Sequence, residues 1–252
     1  MTKKVFVDFY QGTNSEKTAR GKRLVKSLKD GLFRYPAVEV EDVCKSDIIF
    51  LVGGDGTVLQ LIRKYLHLNI PFLGVNGGTE GTLCLASEET LNGVLRDVFH
   101  YFNSLAPKEF DTFSVEFSGQ VETAIQDLRV ERPDHTAIKL KIIAAKQILA
   151  ERHLGDGVII SGAIGSTAYN ASAGGPTISH LDKAVILTPV APFKGKAGVY
   201  DSILSPLVFS DPDFTIVPLT PGRLVLDNRP FEVEAGTKIK INRGRSKFKL
   251  YI

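Results

Sequence analysis

The sequence predicts an α/β domain with a parallel sheet over residues 1–105, followed by a mainly β domain over residues 106–237. Three observations lead there. The first hundred residues alternate apolar strand runs with amphipathic helical stretches, as helices covering a parallel sheet require. From Ala106-Pro107 onward the pattern turns to short strands with period two. A length of 252 residues, 43% hydrophobic and 23% charged, suffices for two modest cores and excludes disorder. Residues 238–252 fit a return to the first domain or a place in the second.

In order, Val5 to Phe9 reads as a strand, and Ser15 to Asp30 as a helix. Leu24, Val25, Leu28 and Leu32 share its apolar face, and Gly31 ends it. Asp47 to Val52 is a continuous buried strand, Thr57 to Leu68 a helix, and Ile70 to Val75 a further strand. This is a Rossmann-like succession. Ser87 opens the next helix, with Glu88 and Glu89 in its first turn and Leu91, Val94, Leu95, Val98 and Phe102 as its stripe. Thr112 to Phe117 and Val121 to Val130 form a hairpin around Ser118-Gly-Gln, and Ile138 to Ile143 with Gln147 to Arg152 form another. Strands follow at Val158 to Ser161, Ala184 to Pro189, Phe214 to Val217 and Arg223 to Asp227, with one helix-like stretch from Ser166 to Ala173.

Charge is uneven. Residues 238–252 hold six basic side chains and no acidic one, leaving −3 on the rest of a chain whose balance is +3. Lys238-Ile-Lys-Ile and Lys247-Phe-Lys-Leu-Tyr-Ile alternate strictly. They read as two half-buried strands around an Asn242-Arg-Gly-Arg-Ser turn, with a basic wall beside a polyanionic ligand as the other reading. Without interleaved aromatics or a binding module, no nucleic-acid partner is expected. The apolar runs are too short for a bilayer and the first residues lack a signal-peptide core, so no membrane partner and a cytoplasmic address are expected. Cys44 and Cys84 have no metal-ligand spacing and are expected to be reduced packing residues.

Thirteen of the 23 glycines fall in two windows, 53–81 and 155–175. Gly53-Gly-Asp-Gly-Thr57 lies between a buried strand and a helix, where open α/β sheets bind ligands. Its backbone N–H groups and the helix start suit phosphate. Asp55 would repel such a guest unless it holds a metal or takes a proton from an attacking hydroxyl, or unless it only supports the turn. Asn76-Gly-Gly-Thr-Glu-Gly81 repeats the strand-then-glycine arrangement and should emerge at the same sheet edge. In the second window, Asp156 could accept hydrogen bonds from a ribose diol. Tyr169 could lie against a base or simply fill a core.

These residues resemble the NAD kinase family: the GGDGT loop, the Asn76 glycine loop, Gly155-Asp-Gly-Val-Ile-Ile-Ser161, Gly165-Ser-Thr-Ala-Tyr and Ser172-Ala-Gly-Gly-Pro176. The resemblance implies transfer of the ATP γ-phosphoryl group to the 2′-hydroxyl of the adenosine ribose of NAD, with Mg2+ or another divalent metal. It also implies an active site between an α/β and a β-rich domain, and a homodimer or homotetramer. By position, Asp55 corresponds to the proton acceptor. Gly54, Gly56 and Asn76 fall in the NAD and phosphate site, Asp156 at a ribose contact, and Thr167, Ala168, Tyr169, Asn170 and Ser172 in the adenosine segment. The metal ligands stay unassigned. Gln126-Asp127 stands where the family has Asn-Glu, and Gly162-Ala-Ile-Gly165 where it has Thr-Pro-Thr-Gly, which predicts weakened NAD binding. A nucleotide sensor without turnover and a kinase of another acceptor are the other readings.

Overall fold

Six consecutive apolar or small residues, Ile48–Gly53, make β3, the central strand of the first of two units. In the computed structural model this unit comprises Met1–Phe110 with Ser246–Ile252, and the second comprises Asp111–Arg245. The structure describes residues 2–9, 15–78, 81–99, 105–180, 182–195 and 199–252.

The first unit runs β1 (Lys3–Phe9), α1 (Ser15–Leu32), β2 (Ala37–Glu39), β3, α2 (Asp55–Tyr65), β4 (Phe72–Asn76) and α3 (Leu91–Phe99). Its strands lie parallel in the order β2-β1-β3-β4, with Val52 opposite Phe9 and Gly53 opposite Asn76. Because side chains alternate along a strand, Ile48, Phe50 and Val52 cluster with Leu24, Leu28 and Leu32 of α1 and Leu95, Val98 and Phe99 of α3. Ile49 and Leu51, equally buried, face the side that α2 covers with Val58 and Ile62.

Several boundaries differ from the sequence reading. Gly31 does not end α1, which runs on to Leu32; a Cβ there would come within 2.9 Å of Leu95, so the glycine lets α1 and α3 approach. α3 runs from Leu91, preceded by a turn in which Ser87 and Thr90 exchange side-chain-to-backbone hydrogen bonds (2.8 and 3.3 Å) in the reciprocal manner of a helix cap. Phe102 lies outside the described residues. Cys44 is exposed in a 3-10 turn, not packed inside, and Cys84 is half-buried; both are free thiols.

The second unit contains most of β5 (Lys108–Phe117), then β6 (Gln120–Ala124), β7 (Asp127–Glu131), β8 (Ile138–Ala144), β9 (Gln147–Gly155) and β10 (Gly157–Ser161). After α4 (Tyr169–Ser172) come β11 (Val185–Val190), β12 (Leu207–Phe209), β13 (Phe214–Pro218), β14 (Gly222–Leu226), β15 (Arg229–Val233) and β16 (Ile239–Tyr251). Six strands pair antiparallel in the order β12-β11-β10-β7-β14-β15, while β13 pairs with β8 and β16, and β8 with β9. Leu128 and Val130 of β7 meet Leu140 and Ile142 of β8 and Phe214 and Ile216 of β13 in one buried cluster. Asp127, Arg129 and Glu131 consequently occupy the opposite face of β7.

Two expected strands resolve differently. The run from Val121 to Val130 is cut at Ile125-Gln126: β6 pairs with β5, whereas β7 joins β10 and β14. The two strands expected after Lys238 are one, since β16 passes straight through Asn242-Arg-Gly-Arg-Ser. Its first part pairs with β13 in the second unit, and Leu250 and Tyr251 pair parallel with Phe72 and Leu73 in the first. Gly244 therefore serves close approach rather than a turn, for a Cβ there would overlap the Thr112 side chain and lie 3.0 Å from its carbonyl carbon. Gly244→Val should accordingly destabilise the protein by about 1–3 kcal/mol through overpacking, read as a lower urea midpoint; a midpoint equal to wild type would restore the turn.

Candidate functional site

The two glycine loops of the first unit lie side by side. β3 and β4 end together, and the Gly77 N–H donates to the Gly53 carbonyl at 3.1 Å. Gly74 lets the returning chain come close, since a Cβ there would sit 2.5 Å from the Leu83 carbonyl oxygen. Asn76 closes the second loop by accepting the Gly78 N–H on Oδ1 at 2.8 Å. Thr79 and Glu80 lie outside the described residues.

Gly54 is the N-cap of α2, so Asp55 and Gly56 occupy the first helical turn, two residues earlier than the sequence places the helix start. Apart from its chain neighbours, no atom of a described residue lies within 4 Å of the Cβ position of Gly54, which leaves room beside its backbone for a ligand. The Asp55 carboxylate accepts three hydrogen bonds: from the Thr82 N–H and hydroxyl on Oδ2 (2.9 and 2.8 Å), and from the Leu83 N–H on Oδ1 (3.0 Å). A carboxylate has about four acceptor positions, so Oδ1 keeps one for a further proton. Burial, then the charge of Asp55, pushes the neighbouring Cys84 thiol up to about 12, and it stays protonated.

In the second unit the break between β6 and β7 is held by Asp227, expected only as the end of a strand. Its carboxylate accepts the Ile125 N–H at 3.0 Å and the Gln126 N–H at 2.8 Å, and its own N–H donates to the Asp127 carbonyl at 2.9 Å. Asp227 has φ 53, the left-handed conformation that Asp tolerates in a two-residue turn between β14 and β15. Gln126 is 8% and Asp127 5% exposed, and neither side chain hydrogen-bonds to a described residue. A Cβ on Gly165 would collide with the Gln126 carbonyl, which seats the Gly165-Ser-Thr-Ala-Tyr segment against this break. Burial, then the charge of Asp227, raises the Asp127 carboxyl to about 7 against the opposing pull of Arg129.

Asp156 and Tyr169 share a cleft of about 570 Å³, together with Arg129, Arg132, His135, Val158 and Arg223 among others. Arg132 Nε lies 3.2 Å from Asp156, and the Arg129 guanidinium stands 5.0 Å from the Tyr169 ring centroid. Tyr169 is 41% exposed, so it is a surface of the cleft and not a core aromatic. Asn170 turns the other way. Fully buried, it donates to the Ser166 and Pro176 carbonyls (3.0 and 2.9 Å) and accepts the Thr188 hydroxyl (2.6 Å), leaving no donor for a nucleotide. Thr167 and Ser172 are exposed and Ala168 half-buried beside it. Thr82, Arg129, Arg132 and Asp227 were not among the expected site residues; only the period-two placement of Arg129 beside Asp127 marked any of them. No three His, Cys, Asp or Glu side chains are grouped to hold a metal among the described residues.

Comparison with known proteins adds a second line. The ATP-NAD kinase N-terminal domain matches residues 5–101 and the ATP-NAD kinase C-terminal domain residues 127–251. An NAD kinase of Rickettsia typhi is 32% identical over 183 residues, 71% of this chain and 67% of that one. An NAD kinase of Rickettsia canadensis is 33% identical over 175 residues, 68% and 64% of the two. The chain thus spans about two thirds of the length of these relatives. Among solved structures, an NAD kinase from Archaeoglobus fulgidus in complex with ATP aligns at a TM-score of 0.71 and 23% identity, over 99% of this chain and 93% of that one. The yeast NADH kinase complexed with NADH aligns at 0.75 and 19%, over 98% and 82%. At these identities the two structures establish the fold.

The raised Asp127 carboxyl makes stability depend on pH. The native state keeps this proton up to about 7, whereas an ordinary carboxylate loses it near 3.8, so the native state binds more protons between the two. Its contribution is therefore full below pH about 3.8, is lost as pH rises to about 7, and is level beyond. Asp127→Asn should flatten this part of the profile, seen as a smaller fall in Tm than wild type shows across the same window.

Proposed function

The chain belongs to the NAD kinase family, and from that premise we propose that it transfers the γ-phosphoryl group of ATP to the 2′-hydroxyl of the adenosine ribose of NAD, giving NADP. The observation that carries this reading is the Asp55 carboxylate, braced at the first turn of α2 by Thr82 and Leu83 with one acceptor position unspent. Asp55 takes the hydroxyl proton on Oδ1 while the ribose oxygen forms its bond to the γ-phosphorus. The bond from that phosphorus to the bridging oxygen breaks, and ADP leaves with the electron pair.

The amides of the first turn of α2 and the open backbone at Gly54 and Gly56 bind phosphate oxygens, aided by the helix dipole. In the second unit Gln126, Asp127, Asp156 and Tyr169 provide the dinucleotide contacts, with Thr167, Ala168 and Ser172 along the same segment. Asn170 acts there by holding the segment rather than by touching the ligand. A divalent cation brought by ATP would be held near Asp55 chiefly by phosphates and water, and it would supply charge neutralisation for the transferred group. The same reading takes the protein as a homo-oligomer acting in the cytoplasm; no described helix is long and apolar enough to cross a membrane.

Incubation with NAD, ATP and magnesium, coupled to an NADP-specific dehydrogenase, tests the reading. Wild type should form NADP, and Asp55→Asn should lower kcat by roughly 10²- to 10⁴-fold with an unchanged circular dichroism spectrum. Absence of NADP at millimolar NAD would sink it, as would an Asp55→Asn variant retaining more than about a tenth of the activity.

A further inference from the structure

We propose that Asp227 is a positioning residue for the acceptor nucleotide, fixing the backbone from which Gln126 and Asp127 present their side chains. The inference rests on the functional reading above for the identity of the ligand, and on the geometry of the second unit for everything else. Between β6 and β7 the chain changes sheets, and a backbone leaving one ladder for another strands its N–H groups. Two of these, on Ile125 and Gln126, point at one carboxylate more than a hundred residues away, that of Asp227, itself only 4% exposed. The reciprocal bond from the Asp227 N–H to the Asp127 carbonyl ties the third residue of the break to the same turn.

Three consecutive residues are thus held by one side chain and its own amide. Arg229, two residues on, pins the other side by donating to Glu122 (2.8 Å) and to the Thr123 carbonyl (2.9 Å). The backbone of the break is bound on both flanks, yet the polar ends of Gln126 and Asp127 are spent on no described residue. Opposite Asp127 in the ladder stands Ser161, whose buried hydroxyl also has no partner among the described residues. The Ser161 hydroxyl is shut off from solvent, and such a group is costly unless something binds it, whereas the polar ends of Gln126 and Asp127 are held firmly and stay open to a ligand. Burial, then the charge of Asp227, raises the Asp127 carboxyl to about 7, so near neutral pH this side chain is shared between a form that donates and one that only accepts.

Asp227→Asn and Asp227→Ala, compared with wild type, separate positioning from mere support. Each protein is read by hydrogen–deuterium exchange at Ile125 and Gln126, and by kinetics with NAD as the varied substrate. Alanine removes both acceptors: exchange should quicken, KM for NAD should rise roughly tenfold to a hundredfold, and kcat and the KM for ATP should stay within about twofold. Asparagine keeps one oxygen for the two amides and should recover most of that affinity. Faster exchange in the alanine variant with an unchanged KM for NAD would overturn the proposal, as would an equal fall in kcat with no change in KM. If wild type turns over no NAD, the functional reading fails, and the same contrast is then read as NAD affinity by calorimetry. A wild type that neither phosphorylates nor binds NAD overturns both.

Discussion

One interaction recurs at three places where the chain leaves regular pairing: an aspartate accepting two consecutive backbone N–H groups from a distant segment. Asp55 does this for Thr82 and Leu83, Asp227 for Ile125 and Gln126, and Asp201 for Glu151 and Arg152. Charge-assisted bonds of this kind are roughly twice as strong as neutral ones, and here each satisfies two donors that a ladder no longer serves. For Asp201, burial pushes the carboxyl upward, but the amides of Glu151 and Arg152 outweigh it and hold the group below the usual carboxylate range. It thereby clips the Asp201–Ile203 segment along β9, where Ser202 bonds Leu154 and the Ile203 N–H donates to His153. The loops bearing the candidate site are placed by the same device, so fold and site share their fastenings.

Asp55 shows how the two uses coexist. Support of a turn and service as a base appear as competing readings of a short glycine-rich loop, but a carboxylate has more acceptor positions than three hydrogen bonds consume. The bonds to Thr82 and Leu83 orient the group and leave Oδ1 the capacity that proton transfer needs. Tyr169 and Asn170, neighbours on the same short helix, divide the corresponding roles between two residues. One shows its ring to the cleft, and the other spends its amide on Ser166, Pro176 and Thr188 so that the helix stays where it is.

The succession of strands and helices was legible because its periodicities are local: continuous apolar runs for β3 and β4, and a 3.6-residue stripe for α1. The two glycine loops were legible for the same reason, since each directly follows a buried strand. What was not legible depends on partners remote in sequence. Nothing near Val121 says that the run to Val130 must be cut, because the cut is imposed by Asp227 a hundred residues later. Gly244 resembles a turn until Thr112 is seen against it, and Gly31 resembles a helix stop until Leu95 is. The motif around Asn170 signalled a ligand contact, while the direction of its side chain is decided by Thr188 on another strand. Family resemblance located the segments; which atoms in them are free is a property of packing.

The path of β16 has a consequence for synthesis on the ribosome. Val75 bridges nearby Ala86, but along Phe72 and Leu73 β4 obtains its second neighbour only when Leu250 and Tyr251, 178 residues later, reach it. Until then the nascent first unit presents an open, apolar sheet edge, while the whole of the second unit is still being made and folded. The pairing closes a very long loop, a slow step by topology. The half-made polypeptide is therefore exposed along that stretch of edge, and the arrival of Leu250 and Tyr251 is what covers it.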